Sequence, residues 1–229
     1  MPEALLLPPN ERRRSSDSVR WAVHVAQEAM TQSGLAPHSV RTVFASSDGE
    51  MAVFDALCQA LTTPDRVISP TLFHQSVHNA AAGYWGIATS GQQSSTALSC
   101  YDDTFAAGFL EAVTVVCSEQ DPALLVVYDL EAPVLLREAR PITTGFAVAM
   151  VLVPESSGSL AAVQVHLENV VEEEDGRLLQ PDLERLRRDN PAARSLPLLS
   201  AIAVGGRRAV RLPLLDCQQL VLEIDVCHN

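Results

Sequence analysis

The run Leu124-Leu-Val-Val-Tyr128 contains no polar group before its terminal hydroxyl. Successive side chains of a β-strand point to opposite faces of the sheet. An apolar run without alternation must therefore be covered on both faces, which is the pattern of a central strand in a layered α/β sandwich. Just upstream, Thr104 to Glu119 reads as a strongly apolar helix, buried enough to supply one of those covers.

The rest of the chain fits around this pair. Ser16 or Asp17 caps a helix that runs to about Ser33 and closes at Gly34, with Val19, Ala22, Val23, Ala26, Ala29 and Met30 as its apolar stripe. His24 lies in that helix and is read as an ordinary packed or solvated residue. Val40 to Ser46 reads as a short strand. Ser47-Asp48-Gly49 supplies turn chemistry, and Glu50 to Leu61 reads as a helix. Leu72 to Ala88 mixes helix signals with polar residues, and Ser94 to Cys100 reads as a strand. Phe146 to Val153 reads as another buried strand of the parallel type. Leu160 to Val170 alternates like an edge or antiparallel strand, Pro181 to Arg188 like a short helix, and Leu220 to Val226 like a closing strand. Residues 1–16 read as an irregular lead-in. The order predicts an α/β fold, layered α-β-α, with a mixed sheet of five or more strands. Residues 1–154 carry it, and residues 155–229 are expected to form an extension of strands and a short helix on the same domain.

Charge narrows the function. The formal net charge is −12, and all 16 cationic residues are Arg. So acidic a chain is a poor ligand for nucleic acid, which needs clustered positive charge. Arg12 to Arg14, Arg185 with Arg187 and Arg188, and Arg207 with Arg208 are read as solvated surface in preference to a dock for an acidic partner. The acidic run Glu172 to Asp175 is read as a solvated loop. The five cysteines (Cys58, Cys100, Cys117, Cys217, Cys227) are widely spaced with no CxxC, which gives zinc or redox motifs no support. Three of them stand in apolar stretches and are expected to be buried, reduced thiols. No metal and no cofactor is expected. No apolar run approaches a membrane span, and the apolar triplet Leu5 to Leu7 precedes the Arg triplet, the reverse of a signal peptide; the expected location is cytoplasmic.

Two polar-rich stretches interrupt this pattern. One runs from Ser69 to Trp85 and the other from Ser95 to Gly108. The second reads as a strand that ends at Cys100 and turns into a helix. A cysteine at a helix N-terminus has its thiolate favoured, a nucleophile-elbow logic. The small residues Ala106, Ala107 and Gly108 then allow close helix packing.

These segments resemble the β-ketoacyl synthase N-terminal half, and more specifically the short ketosynthase-like chain length factors of aryl polyene-type clusters. The resemblance rests on Val43-Phe-Ala-Ser46, Gly49-Glu50, Ser69-Pro70, Phe73, Ser76-Val-His-Asn79, Ala82-Gly83, Asp103, Phe105-Ala-Ala-Gly108, Leu110-Glu-Ala112 and Val126-Val-Tyr-Asp129. Together they cover residues 1 to 154 in order. The resemblance implies a thiolase-like half-fold. It also implies the chemistry of the complete enzymes, a decarboxylative Claisen condensation on a cysteine-bound acyl chain assisted by two histidines from the second half.

Cys100 stands at the nucleophile position, but of the six histidines only His166 and His228 lie beyond the matching region, and neither has the family's loop motif. A thiol without base and oxyanion partners lacks most of what makes it useful. Asp102 and Asp103 sit as cap or first-turn residues of the following helix and raise the thiol's pKa. Cys100 is therefore read as vestigial. His78 and Asn79 are either a buried hydrogen-bonded pair fixing a helix start or part of a dimer interface or acyl tunnel. Ser76 and Asp103 join them as interface or binding candidates. Phe73, Tyr84, Trp85 and Phe105 are the bulky candidates for a tunnel wall. The implied partner is a catalytic ketosynthase in a heterodimer, or a second copy, with acyl carrier protein met indirectly. The alternatives are a small acyltransferase or thioesterase using Cys100 and a homo-oligomeric acyl-binding protein.

Overall fold

The first long helix begins where a hydroxyl replaces a missing helical acceptor. Ser16 Oγ accepts the Val19 N–H at 3.2 Å and opens α2 (Asp17–Ser33), and Gly34 closes it in the left-handed region. Before it stands a single short helix, α1 (Pro9–Arg14), where the sequence suggests irregular chain. The computed structural model describes residues 4–154, 158–169 and 177–226. The acidic run Glu172 to Asp175, Cys227 and His228 lie outside them.

The chain continues through β1 (Arg41–Ala45), α3 (Met51–Thr62), α4 (Pro70–Gln75), α5 (Ala80–Thr89), β2 (Ser95–Leu98), α6 (Thr104–Glu119), β3 (Ala123–Asp129) and β4 (Phe146–Leu152). The strands form one mixed sheet in the order β2-β1-β3-β4. β1 runs parallel to β2 and β3, and β4 runs antiparallel to β3. The parallel reading of Phe146 to Val153 is thus corrected. The connector after β3 holds only one 3-10 turn (Val134–Leu136) and doubles back, the Ala132 N–H donating to the Ile142 carbonyl at 2.9 Å. The chain returns to the sheet at the end it left, so the next strand must run the other way.

All seven residues of β3 are buried, and they divide by parity. Leu124, Val126 and Tyr128 face a core shared with Val19, Val23 and Met30 of α2 and Tyr84 and Trp85 of α5. Ala123, Leu125 and Val127 face the opposite core, built on Phe105, Phe109, Ala112 and Val116 of α6.

Beyond α6 lies a second layer of strands. β5 (Ala161–Asn169), α7 (Pro181–Asp189), α8 (Leu196–Val204), β6 (Arg207–Leu214) and β7 (Gln218–Val226) follow in order. The three strands pair antiparallel as β5-β7-β6. Val210, Leu212, Leu214, Leu220, Leu222 and Ile224 point from this sheet into the α6 core. The seven strands of the described residues thus divide between two sheets with α6 pressed between them. β6 escapes sequence reading because three arginines and Pro213 disguise it; proline is tolerated because β6 is an edge strand.

The fit of α6 on the first sheet depends on Gly108. A methyl group there would come to 3.0 Å from Ala45 Cβ and 3.2 Å from Leu125 Cδ1. Gly83 in α5 has nothing within 4 Å. Chemical denaturation should therefore separate the two. Gly108→Val is expected to lower stability by roughly 2 kcal/mol or more through overpacking. Gly83→Ala should raise it by about 0.5–1 kcal/mol through helix propensity.

Candidate functional site

The carboxyl ends of β1, β2 and β3 lie side by side, and the turns that leave them carry the polar residues that the core excludes. Parallel strands leave their binding crevice at this edge. Asp129 closes β3 and is 2% exposed. Its Oδ1 accepts the Ser46 hydroxyl at 3.1 Å and both the Ser47 hydroxyl and the Ser47 N–H at 2.8 Å. Its other oxygen has no partner. Burial pushes the carboxyl up to about 6 against the pull of those donors. Ser46 Oγ in turn accepts the Gly49 N–H at 2.9 Å, and the Ser99 hydroxyl donates to the Ser47 carbonyl at 2.8 Å. The exits of all three strands are thereby tied together.

A second tier is ionic. Arg140, from the loop after β3, reaches Asp48 at 3.0 Å and Asp102 at 2.9 Å, donates to Ser47 Oγ at 3.0 Å, and lies 4.0 Å above the Tyr101 ring. Burial works against its charge, but Asp102 and Asp48 more than offset this and raise its pKa. Arg194, from the 3-10 turn before α8, reaches Asp102 at 3.1 Å and Asp103 at 3.0 Å. Asp103 also accepts the Leu215 N–H at 2.9 Å, from the turn between β6 and β7. Asp102 and Asp103 therefore clasp three distant segments of chain. Asp103 stands at the N-cap position of α6, as one of the cap or first-turn residues expected, but its side chain makes no capping bond there.

Cys100 lies at this junction, but not at the start of α6. A 3-10 turn (Tyr101–Asp103) intervenes and α6 begins at Thr104. The Cys100 N–H donates to Thr104 Oγ1 at 2.9 Å, and that hydroxyl donates to the Tyr101 carbonyl at 2.6 Å. Tyr101 takes φ +49°, the left-handed region that a bulky side chain rarely adopts. The thiol gains no helix-terminus stabilisation. Burial, and after it Asp103, push its pKa up, which favours the inert thiol. The groups shown to act on Cys100 are the Thr104 hydroxyl and the Asp103 carboxylate. Among the described histidines, His24 pairs with Glu28 and His166 with Glu168, while His78 lies against Gly49.

The other candidates do not converge. Phe105 is fully buried in the α6 core, and Tyr84 and Trp85 are buried in the opposite one. Phe73 is 64% exposed on α4. The Ser76 hydroxyl donates to the Phe73 carbonyl and closes that helix. His78 and Asn79 are both exposed, and Asn79 makes no capping bond for α5, so the buried-pair reading is corrected. His78 instead roofs Gly49, where an added Cβ would meet its Nδ1 at 2.8 Å. The cavity touching Asp103 and Phe105 holds only about 10 Å³, room for one water. Cys58, Cys117 and Cys217 are exposed and Cys100 half-buried, so none of the described cysteines is the buried one expected; α3 and the last turn of α6 present Cys58 and Cys117 outward. No cluster of metal-ligating side chains and no helix long and apolar enough to cross a membrane occurs among the described residues.

Sequence reading missed the roles of Arg140, Arg194, Asp48 and Glu50. Arg140 meets Asp48 across 92 residues and Asp102 across 38, and no local pattern signals such pairs. Glu50, at the start of α3, is 5% exposed with no partner for either oxygen, and burial raises its carboxyl to about 7.

A family model described as "Beta-ketoacyl synthase, N-terminal domain" matches residues 1–204. No curated protein matches the chain. Among solved structures, the chain is similar to the ketosynthase (ApeO) in complex with its chain length factor (ApeC) from Xenorhabdus doucetiae. That match has 23% identity, 95% of this chain and 81% of that chain covered, and a TM-score of 0.70. The ishigamide ketosynthase/chain length factor matches at 12% identity, with 100% and 86% covered and a TM-score of 0.68. The 3-oxoacyl-(acyl carrier protein) synthase III of Pseudomonas aeruginosa matches at 14% identity, with 92% and 84% covered and a TM-score of 0.51. At these identities the likeness is one of fold, and the fold is thiolase-like.

The charge around Cys100 gives a measurable consequence. At neutral pH, iodoacetamide should modify Cys100 about tenfold or more slowly than exposed Cys58, because the thiolate is the reacting form. Peptide mapping by mass spectrometry reads the comparison. Asp103→Asn should narrow the gap, and equal rates in the unmodified protein would contradict the assignment.

Proposed function

Because the chain belongs to the β-ketoacyl synthase N-terminal-domain family, we propose that it is a non-elongating subunit that pairs with a catalytic ketosynthase in fatty acid- or polyketide-type synthesis. The observation that carries this reading is the setting of Cys100. The nucleophile's position is occupied, but by a thiol held protonated beside Asp103, among ion pairs where a base and an oxyanion site would be needed. Chemistry then falls to the partner, in the cytoplasm, and carrier protein is met through that partner.

A partner also suits the surface. Phe54, Leu61, Phe73 and Val77 expose about half or more of their area on α3, α4 and the turn after it. β2 is an edge strand of the first sheet, with free backbone groups along one side. Exposed apolar side chains and an unpaired sheet edge both suit an interface. Of the four aromatic candidates only Phe73 is exposed, which supports assigning the tunnel-limiting role to it.

Co-expression with a full-length ketosynthase from the same source tests the reading. A stable heterodimer is expected. Phe73→Asp and Phe54→Asp should each weaken it by roughly 2 kcal/mol or more, about thirtyfold in Kd. Product length is expected to change with Phe73→Ala within an intact complex. A stable homodimer indifferent to any ketosynthase would favour an acyl-binding protein and overturn the proposal.

A further inference from the structure

α3 carries much of the proposed partner face and is lightly held. Only Val53 and Leu57 of its residues are buried, while Phe54, Cys58 and Leu61 look outward. Its seating depends on how the chain enters it. That segment is Glu50, which occupies the N-cap position with φ −99° and ψ 56° yet forms no side-chain cap. The carboxyl turns inward instead, with the residue 5% exposed and both oxygens without a hydrogen-bond partner. A buried carboxylate left unpaired is among the most costly arrangements a fold can hold, whereas the neutral acid is far cheaper.

The surroundings offer the charge little relief. From α2, the Ser16 and Ser18 hydroxyls ease the ionised form without closing onto it, and Asp17 opposes it. From α5, the Tyr84 phenol faces it, itself flanked by Gln75 of α4 and by Glu11 and Arg14 of α1. From β3, the Tyr128 phenol feels the field of Glu50 and, after it, that of its neighbour Asp129. Over the preceding residue, Gly49, sits the His78 ring. On Tyr84, Glu11 and Arg14 act in opposite senses.

We propose that Glu50 is a proton latch on the partner face: its neutral carboxyl lets α3 seat on the core, and loss of the proton to solvent loosens α3 together with the apolar face it carries. The regulatory part of this inference rests on the reading of α3 as partner-facing; the latch itself does not.

The sign follows from linkage. Seated, Glu50 titrates at about 7 in place of 4.5, so the seated state holds its proton more tightly than an opened one. Raising the pH from about 4.5 to 7 therefore favours opening by up to tenfold per pH unit, and the effect levels off above 7. Hydrogen exchange of the α3 amides in the full chain, corrected for intrinsic rates, reads this directly. Between pH 5 and 7 protection is expected to fall by about tenfold per unit in the wild type, while Glu50→Gln stays flat. Wild-type protection that does not change over this range, or a Glu50→Gln protein with the same slope, would overturn the latch. With a co-expressed ketosynthase, affinity should fall over the same range in wild type and not in Glu50→Gln. Failure to bind any ketosynthase would sink the partner reading and leave the exchange result standing. Binding that ignores pH, with a sloping exchange profile, would overturn the regulatory role.

Discussion

Covering both faces of β3 is the requirement on which the rest of this structure depends. Seven buried residues in sequence cannot share one core, so the chain builds two. One is closed by α2 and α5. The other is closed by α6, whose own far side is apolar and must be covered in turn. The antiparallel sheet of β5, β7 and β6 does that, and Gly108 sets how closely α6 approaches the first sheet. The sandwich of helix between two sheets is thus the consequence of one strand with no polar side.

The same geometry delivers the polar residues to one edge. β1, β2 and β3 end together, and the core admits neither serine nor aspartate, so Ser46, Ser47, Ser99, Cys100 and Asp129 meet in the turns just beyond. In a condensing enzyme such an edge must keep a thiolate and leave room for substrate. Here burial, and after it Asp103, push the thiol's pKa up, while Arg140 and Arg194 pair with the carboxylates of Asp102 and Asp103. The cluster also ties Arg140, Arg194 and the Leu215 N–H to Asp102 and Asp103, so these carboxylates join the second sheet to the edge of the first.

Much of the fold was legible from the sequence because it is written in local periodicity. The helix Thr104–Glu119, the strand at Leu124 to Tyr128 and the cap at Ser16 follow from patterns a few residues long. Strand direction was not, because β4 turns back through a loop whose path is set by long-range packing. β6 was hidden by its arginines and proline, and α8 (Leu196-Pro-Leu-Leu) by an apolar run with no helical stripe. The site was legible only in part. Cys100 and the two aspartates after it could be singled out, but their partners Arg140 and Arg194 come from elsewhere in the chain. Glu50 was legible as part of the Gly49-Glu50 motif, but nothing signalled its burial, since a glutamate before a helix ordinarily faces water.

If the chain is the non-elongating subunit proposed, it does not carry the acyl group. Intact-protein mass spectrometry of the complex with a co-expressed ketosynthase, after incubation with an acyl-thioester donor, should then show an acyl adduct on the ketosynthase and an unchanged mass for this chain. An adduct on this chain that disappears in Cys100→Ala would contradict it.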